Sequence, residues 1–63
     1  MNKYIVQYKS TITESWTTYG VNRSETLARK IVVARERIFP NYKYRIVKEI
    51  PGIKAEVIYE SSN

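Results

Sequence analysis

The chain contains no cysteine, no histidine and no aspartate, and all six of its acidic residues are glutamate. Without cysteine there is no disulfide to staple a small fold and no thiolate to hold zinc. Without histidine the commonest zinc ligand is missing. So is the side chain that carries most proton transfer near neutral pH. The serines have no imidazole to activate them. A lysine or glutamate could serve as acid or base only if deep burial moved its pKa, and a small core offers little room for that. The sequence therefore reads as non-enzymatic, with no metal, no other cofactor and no small-molecule substrate. Only two glycines and two prolines occur, and no repeat, linker or second domain is visible. No apolar run approaches the ~18 residues that span a bilayer, so no membrane role is expected. Gln7 and Lys9 interrupt the first segment too early for a secretory leader. A cytoplasmic location is the expectation, and Asn22-Arg23-Ser24 then means nothing as a glycosylation acceptor.

What is present is a short, basic chain. It has 63 residues, and eleven Lys and Arg against six Glu give a net charge of +5. That length allows one domain, residues 1–63, and one core. Such a chain buries only about 60% of the surface that its unfolded form exposes. With staples absent, tight packing and self-association remain as sources of stability. Hydrophobic residues make up 43% of the chain, ordinary for a folded domain. The basic balance suits a polyanionic partner, or it serves solubility alone.

Four strands and one helix follow from the residue patterns. Lys3 to Lys9 alternates and is rich in β-branched and aromatic side chains. A polar loop, Ser10 to Ser15, leads to a second strand, Trp16 to Val21, where Gly20 could host a bulge or bend. The helix runs from Ser24 to Ile38, with Ser24 or Asn22 as its cap and Glu25 in the positive first turn. Its apolar stripe reads as Leu27, Ala28, Ile31, Ala34 and Ile38. Pro40 stops it. Tyr42 to Ile50 and Ile53 to Glu60 are the third and fourth strands. Pro51-Gly52 prefers a type II turn, so a connection longer than two residues is expected. The fold class is α+β: a single four-stranded antiparallel sheet with one helix packed on one face, in the order β-β-α-β-β. The sequence does not decide the strand order.

Simple alternation divides the strands into two faces. The inward set is Tyr4, Val6, Tyr8, Trp16, Tyr42, Tyr44, Ile46, Ala55, Val57 and Tyr59, which reads as the core beneath the helix rather than a base-stacking platform. The outward set is Lys3, Ile5, Gln7, Lys9, Thr17, Tyr19, Val21, Lys43, Arg45, Val47, Lys54, Glu56 and Ile58. One helix covers one side only, so this face is open. Two functions stay open for it. The favoured one is a protein contact, by self-association as a homodimer or by binding and inhibiting a larger enzyme. Ile5, Val47 and Ile58 then form its dry centre. The alternative is a nucleic-acid-binding module, with Lys9, Lys43, Arg45 and Lys54 on phosphates and Tyr19 stacking on a base. Arg29, Lys30 and Arg37 form a second basic patch on the outer helix face. Arg35 breaks the helix pattern by pointing into the apolar stripe, and Lys48 does the same on the third strand.

Two family patterns bear on the chain. Tyr4-Ile5-Val6 followed by Thr18-Tyr19-Gly20 and Arg23 resembles the GIY-YIG nuclease signature only in part. The first motif lacks its glycine, the spacing is too long and the chain is too short. The hairpin and helix are similar in architecture to the DNA-binding domains of phage integrases, which lack the second hairpin. By type, a small basic chain of this composition resembles accessory proteins of phages and mobile elements, many of which act by binding a host or defence enzyme.

Overall fold

A computed structural model describes residues 2–12 and 14–61. Strand β1 spans Lys3–Ser10, β2 Thr17–Asn22, helix α1 Glu25–Ile38, β3 Tyr42–Ile50 and β4 Lys54–Glu60. The expected α+β class and element order are present, with each boundary within one residue of the pattern-based reading.

Local chemistry sets the ends of the helix. The Ser24 hydroxyl accepts a hydrogen bond from the Leu27 amide at 3.3 Å, which satisfies one of the free donors of the first turn. At the other end the Phe39 amide donates to the Arg35 carbonyl, and Phe39 leaves helical geometry before Pro40. The β3–β4 connection is Pro51-Gly52-Ile53. Gly52 takes φ +73°, and the Ile53 amide closes the turn on the Ile50 carbonyl at 3.0 Å.

The strand order is β2-β1-β3-β4. Both β2 and β3 pair antiparallel with β1, so they run parallel to each other with β1 between them. Helix α1 bridges these two strands and lies over β1, β3 and β2. Its buried contribution is small: Ala28 and Val32 meet Val6 of β1 and Tyr44 and Ile46 of β3. Tyr4, Tyr8, Ile31, Ile58 and Tyr59 pack around this centre. The Tyr44 hydroxyl is shared between the carbonyl oxygens of Arg35 and Phe39, which ties the end of the helix to the sheet.

The helix face differs from the expected stripe. Ala28, Ile31, Val32 and Arg35 face the sheet, while Leu27 and Ile38 are 49% and 64% exposed and Ala34 is exposed. The helix is rotated about its axis because packing selects the face that fits the sheet, and small Ala28 allows the closest approach. The apolar content of Leu27, Ala34 and Ile38 does not decide it.

Both edge strands carry a β-bulge. Val6 pairs with Gly20 but Gln7 pairs with Thr18, which leaves Tyr19 as the extra residue of β2. Ile46 pairs with Tyr59 but Val47 pairs with Val57, which leaves Ile58 as the extra residue of β4. A bulge inserts one residue into a period of two, so every side chain beyond it changes face. The central strands β1 and β3 keep their full alternation, in register from Lys3–Glu49 to Ser10–Tyr42.

Candidate functional site

The face away from the helix is built on two rows of side chains. The first row is apolar and crosses the whole sheet. Val21 pairs with Ile5, Ile5 with Val47 and Val47 with Val57. Ile5 and Val47 are half-buried in the middle, and Val21 and Val57 are 56% and 47% exposed at the two edges. The second row, one step along the strands, is polar. The Arg45 Nε donates to Gln7 Oε1 at 2.7 Å, and the Gln7 amide reaches Thr18 Oγ1 at 3.4 Å. These bonds hold Arg45 upright beside the apolar row, since a planar guanidinium is fixed by each bond it makes.

Beyond this row lie Lys9 and Lys43, paired across β1 and β3. Two like charges directly opposite destabilise a sheet. The ring of Trp16 offsets that repulsion: the Lys9 ammonium lies 5.1 Å from its centroid and the Arg45 guanidinium carbon 4.4 Å. Trp16 thus closes one corner of the open face. Among the described residues, the ion pairs are Arg29–Glu25 at 2.9 Å and Lys54–Glu56 at 3.4 Å. Lys9, Lys43 and Arg45 form neither of these pairs, although Glu60 stands across from Arg45 on β4.

The bulges redraw the expected membership of this face. Lys9, Lys43, Arg45, Ile5 and Val47 stand where alternation places them, because they lie on the unbulged central strands. Tyr19 does not. It turns to the helix side, where the Arg35 guanidinium carbon sits 4.5 Å from its ring and 4.6 Å from that of Phe39. Thr17 follows Tyr8 to the helix side, and Thr18 takes its place. On β4, Ile58 packs against the core instead of facing out. Lys54 and Glu56 stand opposite Ile50 and Lys48, on the helix side. In exchange, Ala55 and Val57 leave the expected core for the open face, and Trp16 leaves it for the basic corner. Ile53 lies in the turn and is 75% exposed. Sequence alternation missed Trp16 and Val57 as face residues because it carries no mark of where a bulge falls. Gly20, next to the β2 bulge, was the one local hint.

Among the described residues Arg35 forms no ion pair. Its Nε is buried without a hydrogen-bond partner, and the guanidinium lies against the two rings and the Tyr44 hydroxyl. The second basic patch divides in two. Arg29 bonds to Glu25 and lies over the ring of Tyr59, while Lys30 and Arg37 stay exposed beside Val33 on the outer surface of the helix. These residues line a shallow surface on a single helix, not a pocket between elements.

Two tyrosines have pKa values raised above the usual 10.0. Burial raises Tyr44 first, against the opposing effect of Arg35. Burial also raises Tyr59, helped by its 2.8 Å hydrogen bond to the Glu36 carboxylate. Both lie on the helix side, and neither contributes to the open face. Among the described residues no three metal-ligating side chains cluster, and no helix is long and apolar enough to cross a membrane. Comparison with family models, curated proteins and solved structures gives no match, so the chemistry of the open face itself is the guide to function.

Proposed function

We propose that the chain is a non-catalytic docking module whose open sheet face binds a protein with an apolar centre and an acidic rim. The carrying observation is the row Val21–Ile5–Val47–Val57 with Lys9, Lys43 and Arg45 beside it, none of them in an ion pair among the described residues. Protein interfaces have this build: an apolar centre that excludes water, and charged groups at the rim that steer and orient the partner. The mode of action fits an accessory protein that occupies the surface of a larger protein, inhibition of an enzyme included.

Nucleic acid is the second reading, supported by the same three cations. It is the weaker of the two. A single-strand binder needs free rings for bases. On this face the one large ring is Trp16, already engaged by Lys9 and Arg45, and Tyr19 is turned away.

The test compares four proteins in an affinity capture: the native chain, Val47→Glu, Arg45→Glu and the helix-face control Lys30→Glu. A protein retained by the native chain and the control but lost from both sheet variants supports docking on this face. Loss from the control, or retention by Val47→Glu, overturns it. In parallel, oligonucleotide anisotropy at about 50 and 200 mM salt should show no tight binding. Tight binding that falls by orders of magnitude at the higher salt and survives Val47→Glu would replace the protein reading with the nucleic-acid one.

A further inference from the structure

The two edges of the sheet are not alike. β4 carries Lys54, Glu56 and Glu60 within seven residues. Charges of this kind are the usual guard of an exposed edge, because pairing with another strand would bury them. β2 reads Thr-Thr-Tyr-Gly-Val-Asn and has no charge and no proline. Its outer backbone groups have no strand beside them. The Tyr19 bulge is its one interruption.

A second feature lies along the same edge. Helical residues advance by about 100° each, which places Arg29 and Glu36 on one flank of α1 and Leu27, Ile31, Ala34 and Ile38 on the other. Arg29 and Glu36 both reach Tyr59 on β4. The apolar flank therefore overhangs β2, in agreement with Arg35 lying over Tyr19. Ile31 is partly buried, but Leu27, Ala34 and Ile38 stay exposed. An unguarded strand and an apolar ridge run side by side, each lacking the same neighbour.

We infer that this edge is the contact between two copies of the chain. β2 pairs antiparallel with β2 of a second copy, and the two apolar helix flanks meet above the joined eight-stranded sheet. A second copy fits better than a foreign strand for two reasons. Antiparallel pairing of identical strands closes on a twofold axis, so each copy satisfies the other. The β2 strand and the residues Leu27, Ala34 and Ile38 also carry no charge; Lys30 and Arg37 border Ala34 on the outer helix surface and Arg35 is held over the rings of Tyr19 and Phe39, so the strand ladder itself brings no cations together. The contact adds apolar burial to a small core, which holds five buried side chains among the described residues. It leaves the open sheet face free, so it stands apart from the docking function proposed above.

Sedimentation equilibrium tests this over roughly 5–500 µM, a range that brackets a micromolar dimer. The native chain should pass from monomer to dimer. Leu27→Glu with Ile38→Glu should raise the dimer dissociation constant more than tenfold, and Val47→Glu on the sheet face should leave it unchanged. Leu27 and Ile38 are largely exposed, so the double variant should fold, which circular dichroism checks. Hydrogen exchange gives the second readout: β2 amides should gain protection with concentration while β4 amides do not. A monomer throughout the range, or a dimer broken by Val47→Glu and untouched by the helix variants, overturns the inference.

Discussion

The bulge in β4 exchanges the roles of two neighbouring residues, and their truncation measures the exchange directly. Unbroken alternation puts Val57 in the core and Ile58 in solvent. In the structure Val57 is 47% exposed on the open face, and Ile58 packs against the core. Ile58→Ala removes three carbon atoms, each worth ~0.8 kcal/mol when buried. Ile58 keeps partial exposure, so the cost should be about 2 kcal/mol, cavity formation included. Val57→Ala removes two carbons that are half in water already, for a cost below about 1 kcal/mol. A domain of this size has only roughly 3–5 kcal/mol to lose. The first change should therefore lower the melting temperature by about 8–16 °C. The second should lower it by a few degrees. Urea denaturation followed by tryptophan fluorescence reads both, at equal protein concentration. Equal costs, or a larger cost at Val57, would refute the bulge and restore simple alternation along β4.

Arg35 offers a second measurement. Arg35→Met keeps the apolar stem between Tyr19 and Phe39, loses two cation–π contacts and removes a buried Nε without a partner. These effects oppose, so stability should change by less than about 1 kcal/mol. Arg35→Ala also loses the stem and should cost about 2 kcal/mol; equal costs in the two thermal melts would show that the charge itself is needed. The tyrosines predict alkaline behaviour. The folded pKa values of Tyr44 and Tyr59 lie above the unfolded value of 10.0. Their contribution is therefore complete below pH 10 and is lost as pH rises through the folded values. Stability should fall above pH 10, and the fall should be smaller in Tyr59→Phe. An equal pH dependence in that variant would exclude Tyr59 as a source.

The sequence was a good guide wherever one period held from end to end. Ser24, Glu25 and Pro40 bound the helix because capping and ring closure act locally. On β1 and β3, Tyr4, Val6, Tyr8, Tyr44 and Ile46 go under the helix, while Ile5, Lys9, Lys43, Arg45 and Val47 go outward. Those strands have a neighbour on each side, and their ladders tolerate no extra residue. The basic cluster was legible for the same reason. Trp16, Val57 and the full apolar row were not. Each lies beyond a bulge in an edge strand, where one free side lets the chain absorb an extra residue.

Composition and local pattern alone determined the class of the fold, the ends of its elements, the lack of cysteine, histidine and aspartate, and the face taken by the cations of the central strands. Tertiary structure decided the strand order, the rotation of the helix and the face taken by half of each edge strand. These depend on how the helix seats on the sheet and where two bulges shift the register of the edge strands. Such energies belong to pairs of residues far apart in the chain, and no short window of sequence contains them.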